Sequence, residues 1–133
     1  MSAKILIVDD EDEVVKIVAT HLRKAGYKTL TANNGADAIR LAKESTPDLI
    51  LLDVILPEVE GFTVCETLRR WPATAKTPIL MLTALFGELP RSHGYECGAT
   101  DYIGKPFKHR ELIARVRQAL ANRETRSAEE ADD

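Results

Sequence analysis

Hydrophobic positions fall into two kinds of pattern along this chain. Short runs are apolar throughout: Ile5-Leu6-Ile7-Val8, Leu49-Ile50-Leu51-Leu52 and Ile79-Leu80-Met81-Leu82. Between them lie longer stretches in which apolar residues return every three or four positions. A continuous apolar run of this length suits a strand buried on both faces, as in the middle of a parallel sheet. The spaced pattern suits an amphipathic helix with one inward face. Lys4 to Val8 therefore predicts a first strand. Asp10 to Ala25 predicts a helix, with Val14, Ile17, Val18, Leu22 and Ala25 inward, acids in its first turn and Gly26 as its stop. Tyr27 to Ala32 is less purely apolar and predicts an edge strand. After the turn Asn33-Asn34-Gly35, a second helix covers Ala36 to Ser45, with Ala38, Ile39 and Ala42 inward.

Pro47 leads cleanly into the central strand, and Pro57 follows it. A third helix runs from Phe62 to Arg70 and stops at Trp71-Pro72. A fourth strand spans Ile79 to Thr83. A short helix over about 90–97 places Pro90 in its first turn, where proline is tolerated, and Gly98 breaks it. Thr100 to Ile103 predicts a fifth strand, Gly104-Lys105-Pro106 a turn, and Phe107 to Ala121 a last helix. Its inward face is Leu112, Ile113, Val116, Ala119 and Leu120. Residues 123–133 are polar and aperiodic, which predicts a disordered tail or linker after a domain over residues 1–122. This is βα repeated five times. Short connections with right-handed crossovers give an α/β fold, a doubly wound five-stranded parallel sheet with helices on both faces. The order 2-1-3-4-5 is favoured, because it sets the first and third strands side by side at the switch point.

Composition narrows the class without changing the fold. The chain has 133 residues, enough for one domain with a real core and too few for a second. A net charge of -3 does not suit direct nucleic-acid binding, which normally needs a basic chain. No apolar run approaches the roughly 20 residues of a membrane helix. The first apolar run leads straight into Asp9-Asp10-Glu11-Asp12-Glu13, unlike a signal peptide. Cys65 and Cys97 lack metal-ligand spacing, and as two thiols they fit a reducing cytoplasm, each as a small buried hydrophobe. His21, His93 and His109 lie on separate elements and form no ligand set. Lys108, Arg110, Arg115, Arg117 and Arg123 predict a solvated face, with Glu111 and Arg115 at helix-pair spacing.

The candidate chemistry lies at strand ends. Asp53 closes the central run and Asp9-Asp10 closes the first, so adjacent strands bring three carboxylates together where open α/β sheets carry their sites. Three close carboxylates cannot all stay ionised without compensation: a proton is retained or a cation arrives. Oxygen donors with room for water suit Mg²⁺. Thr83 and Lys105 should reach the same edge. A metal, a cation and a hydroxyl around a carboxylate suit a phosphoryl group, with the aspartate as nucleophile.

Asp9-Asp10, Asp53, Thr83-Ala84 and Lys105-Pro106-Phe107, in this order on a βα frame, resemble the receiver domain of two-component response regulators. The resemblance covers residues 4–121. It implies a flavodoxin-like (βα)5 fold and supports the 2-1-3-4-5 order. It implies that Asp53 is the phosphoacceptor, that Asp10 binds Mg²⁺ directly and Asp9 through water, and that the Ile55 backbone carbonyl is a further ligand. It makes Lys105 the partner of a phosphoryl oxygen, Thr83 the switch hydroxyl and Tyr102 the aromatic that turns inward. Lys105-Pro106 matches a cis bond. The implied function is a cytoplasmic phosphorylation-controlled switch rather than an enzyme, catalysing only its own phosphoryl transfer and dephosphorylation. A histidine kinase or histidine phosphotransfer protein would be the donor, and a downstream protein or output domain the target. Homodimerisation through the last helix face is a further expectation. The alternative is a pseudo-receiver, an interaction module independent of phosphorylation; the complete acid set argues against it. Apolar Ile55 and Leu85 imply slow loss of the phosphoryl group. The loop Leu56-Pro57-Glu58-Val59-Glu60-Gly61 departs mildly from the family's pattern, and Thr100-Asp101 replaces its usual acidic pair.

Overall fold

A computed structural model describes residues 2–57, 59–83 and 97–132. The three apolar runs form the middle of a five-stranded parallel sheet. The strands are β1 (Lys4–Val8), β2 (Lys28–Ala32), β3 (Leu49–Asp53), β4 (Ile79–Thr83) and β5 (Asp101–Gly104), in the order β2-β1-β3-β4-β5. Every neighbouring pair is parallel, with Ile7 beside Leu51 and Leu51 beside Leu80. The described helices are α1 (Asp12–Lys24), α2 (Gly35–Ser45), α3 (Gly61–Arg70) and α4 (His109–Asp132). Of the short helix expected over 90–97, residues 90–96, Pro90 and His93 among them, lie outside the described residues, together with Ala84 and Leu85, while Cys97 lies in a turn.

Side-chain alternation along the buried strands divides the core in two. Leu6, Val8, Ile50, Leu52 and Met81 meet Ala38 and Ala42 of α2 and Val64 and Leu68 of α3. Ile5, Ile7, Leu49, Leu51, Leu80 and Leu82 meet Val18 and Leu22 of α1 and Leu112 and Val116 of α4. Because β1, β3 and β4 are covered on both faces, almost every one of their residues is buried, which is why they lack polar alternation.

Local chemistry explains most boundaries. Gly26, at φ +98, ends α1 in a conformation that only glycine adopts freely. Asn34 caps α2, its side-chain oxygen accepting the Asp37 N–H at 2.8 Å.

Four expectations need correction. Ile17 is 58% exposed and Ala19 takes its place inward, because α1 faces the sheet along the line of Val15, Val18, Ala19 and Leu22. The first helix begins at Asp12 rather than Asp10; Glu11 caps it without a side-chain bond, while the Asp9 carboxylate accepts the Glu11 N–H at 3.0 Å. Arg115 and Arg123 do not belong to a purely solvated face. Arg115 pairs with Asp101 of β5 and donates to the Tyr102 carbonyl at 3.3 Å, and Arg123 pairs with Asp48 at 3.1 Å. The last helix does not stop at 121 but continues to Asp132, through a disordered-tail candidate rich in Ala, Glu and Arg, all strong helix formers.

Candidate functional site

Four strands deliver the site at their carboxyl ends. β1 and β3 are register neighbours, so the residues that follow Val8 and end β3 emerge together. Asp9, Asp10 and Asp53 each place a carboxylate oxygen within 4.8 Å of the others. Asp9 is fully buried and Asp53 nearly so, while Asp10 is exposed. β4 ends on Thr83, whose register partner is Gly104 of β5; Lys105 follows directly. The Lys105 ammonium lies 2.7 Å from Asp9 Oδ2 and 3.5 Å from Asp53 Oδ2. The side chains of Asp9, Asp10, Asp53 and Lys105 thus converge, Thr83 ends the strand beside Asp53, and the Lys105–Pro106 bond is cis.

The electrostatics follow from one cation among three acids. Burial, then the nearby Asp9 charge, raises the Asp53 pKa from 3.8 to about 6, against the lowering effects of Lys105 and the Ile55 N–H. The Ile55 amide donates to Asp53 Oδ1 at 3.3 Å, which turns the chain after Asp53 back toward the site. Burial alone would lower the Lys105 pKa. Its hydrogen bond to Asp9 and the charges of Asp53 and Asp9 outweigh burial and raise it, so Lys105 stays cationic. The donor set is oxygen only, and one cation does not balance three carboxylates, so the cluster fits a hard dication such as Mg²⁺.

Thr83 and Tyr102 are both buried. The Tyr102 ring is already inward, packed in the cluster that includes Met81 and Ala99. Ile55 is 56% exposed, so its apolar side chain faces the surroundings of the site rather than the core.

Two supporting residues escaped sequence reasoning. Gly61 opens α3 against the backbone beyond Asp53. A Cβ there would lie 2.2 Å from the Asp53 carbonyl oxygen, and the Gly61 N–H donates to the Val54 carbonyl at 2.9 Å. The glycine was visible as loop punctuation, but nothing in sequence marked its close approach. Arg69 reaches from α3 to the Gly98 carbonyl at 2.8 Å and the Thr77 carbonyl at 2.6 Å. It thereby fixes the turn that leads into β5. A lone arginine late in an amphipathic helix carries no signal for such a role.

The profile of the response regulator receiver domain matches residues 5–117. The chain is 44% identical over 124 residues to the alkaline phosphatase synthesis transcriptional regulatory protein PhoP of Bacillus subtilis (strain 168), covering 93% of this chain and 51% of that protein. It spans about half the length of the curated relatives it matches. A putative response regulator from Chloroflexus aurantiacus superimposes with a TM-score of 0.87 at 40% identity, covering 91% of this chain and 99% of that one. The receiver domain of a sensor histidine kinase from Pseudomonas aeruginosa PAO1 superimposes with a TM-score of 0.85 at 29% identity, covering 91% and 99%. That structure has a magnesium ion coordinated in its active-site cleft.

Proposed function

The chain belongs to the response regulator receiver domain family, and from that premise we propose that it is a phosphorylation-controlled signalling switch with Asp53 as phosphoacceptor. The observation that carries this reading is the placement of Asp53. It ends the central strand, nearly buried, 3.5 Å from the Lys105 ammonium and within reach of Asp9 and Asp10. A pKa of about 6 leaves the carboxylate ionised at neutral pH and able to attack.

In the proposed step an Asp53 oxygen bonds to phosphorus as the bond from phosphorus to a donor imidazole nitrogen breaks. The electron pair leaves on that nitrogen, and the ring departs neutral because its other nitrogen carries a proton. Asp10, Asp53 and the Ile55 carbonyl would hold Mg²⁺ directly, and Asp9 through water. When bound, Mg²⁺ neutralises charge on the phosphoryl oxygens. Lys105, already cationic, exchanges its contact with Asp53 for one with a phosphoryl oxygen. Thr83, at the end of β4, donates to another. Engagement of Thr83 holds the Tyr102 ring inward and biases the surface around β5 and α4. A histidine kinase or histidine phosphotransfer protein supplies the phosphoryl group in the cytoplasm, and a downstream protein or output domain responds. Among the described residues no helix is long and apolar enough to cross a membrane. Catalysis is confined to this transfer and to the later hydrolysis of the acyl phosphate, which frees Asp53 and releases inorganic phosphate.

Intact mass after incubation with Mg²⁺ and acetyl phosphate tests the reading. One added phosphoryl group, absent in Asp53→Asn and after chelation, is expected. An adduct that survives Asp53→Asn overturns the assignment. No adduct, with no beryllofluoride-dependent change in the protein, would favour an interaction module that works without phosphorylation.

A further inference from the structure

Two buried cysteines that are 32 residues apart in sequence meet in the core, the Cys65 side chain against the Cys97 backbone. Cys65 lies on the inward face of α3, and Arg69 follows it one turn later on the same side. Cys97 and Gly98 are consecutive. Successive turns of α3 therefore grip successive residues: Cys65 Sγ donates to the Cys97 carbonyl at 3.4 Å, and Arg69 Nε to the Gly98 carbonyl at 2.8 Å. The grip is close because residue 98 has no side chain. A Cβ there would lie 2.8 Å from Arg69 Cγ, and its φ of +98 suits glycine. Both cysteines are free and buried in the same core cluster, with the Cys65 sulfur seated against residue 97.

We propose that Cys65 and Cys97 are a redox-modifiable pair, which a hydroperoxide converts into a disulfide that latches α3 to the turn entering β5. The two thiols have distinct roles. Cys65 gives its S–H to the Cys97 carbonyl, while the Cys65 side chain beside it lowers the Cys97 pKa, so Cys97 is the thiol that ionises more readily. Cys97 is 4% exposed and Cys65 fully buried, which makes Cys97 the first to meet oxidant. The Cys97 thiolate attacks the peroxide, the O–O bond breaks, and the product is a sulfenic acid plus an alcohol or water after protonation. Cys65 sulfur then attacks Cys97 sulfur. The S–O bond breaks, and the hydroxyl leaves as water with the Cys65 proton. Two thiols are oxidised and one peroxide is reduced.

The consequence is mechanical. The turn at Cys97–Gly98 leads into the strand that carries Tyr102 and ends beside Lys105. The disulfide adds a covalent tie to the hydrogen bonds from Arg69.

The test is hydrogen peroxide treatment of the native full chain, followed by intact mass, peptide mapping and amide exchange. The expected product has lost two hydrogens and contains one linked peptide joining Cys65 to Cys97. Exchange over residues 98–102 is slower in it than in the reduced chain. Cys65→Ser should stop at a Cys97 sulfenic acid that dimedone traps, and Cys97→Ser should give no dimedone adduct. Wild-type mapping decides the matter alone if a variant fails to fold. Separate sulfinic acids, intermolecular links, linkage only in urea, or a disulfide that leaves exchange over 98–102 unchanged would each overturn the proposal. None of these readouts depends on phosphorylation at Asp53.

Discussion

Removing the charge of Asp53 should make the metal-free protein more stable. The folded state raises this carboxyl from 3.8 to about 6, so folding opposes its ionisation. Below pH 3.8 the group is protonated in both states and contributes nothing. As pH rises through the interval up to 6, the unfolded chain ionises first and gains, and native stability falls. Above pH 6 the full penalty stands. A shift of roughly 2 units at 1.36 kcal/mol per unit is about 3 kcal/mol, an upper bound for relief by neutralisation. Asparagine keeps the oxygen that accepts from the Ile55 N–H and removes the charge that crowds Asp9. Urea unfolding of wild type and Asp53→Asn, in EDTA at pH 7.5 and again near pH 4, measures the difference. We expect a gain of about 1–3 kcal/mol at the higher pH, shrinking toward zero at the lower. Millimolar Mg²⁺ should narrow the gap by binding preferentially to the folded wild type, whose acid set is complete. An Asn variant no more stable than wild type in EDTA, or equally favoured at both pH values, would refute the reasoning.

Gly61→Ala should destabilise by about 3 kcal/mol, because the contacts it creates are with backbone that cannot swing away. Thermal unfolding checks this, and Asp53 phosphorylation by acetyl phosphate should slow with it. Arg69→Met leaves the Gly98 and Thr77 carbonyls without their guanidinium donor, at a cost of about 2 kcal/mol. Amide exchange should accelerate over residues 98–102 before it does in β1. Lys105→Gln removes the cation facing Asp9 and Asp53, so the Asp53 pKa should move further above its present value. Carboxyl NMR titration reads that rise, and the phosphorylation rate should fall at least about tenfold, the loss of one charge-assisted contact worth roughly 1.4 kcal/mol.

The sheet was legible because its central strands are buried on both faces. Ile5–Val8, Leu49–Leu52 and Ile79–Leu82 had no helical alternative compatible with their length and flanks. Asp53, Asp9 and Asp10 were legible because strand ends concentrate chemistry and these acids stood directly beyond apolar runs. What sequence concealed depended on tertiary proximity between distant positions. Arg115 has Glu111 at helix spacing, yet Asp101 on β5 offers it a partner that only the fold supplies. Ile17 fits a helical stripe as well as Val18 does, and the angle at which α1 meets the sheet decides between them. His21 and His109, on separate helices, stack with ring centroids 4.4 Å apart, a contact no spacing rule contains. The helix beyond 121 has no apolar face to announce it, and rests on residue propensity instead.

The hydrogen bond between Lys105 and Asp9 joins residues 96 positions apart. A ribosome releases the acids on β1 and β3 well before it releases their internal counter-charge. During that interval the emerging sheet edge holds three carboxylates and no lysine, and only dissolved cations can offset them. Closure of β5 onto β4 delivers the missing positive charge. The lysine that balances the acids thus also marks the completion of folding: a nascent chain that has not yet docked its last strand has neither a balanced site nor a competent one.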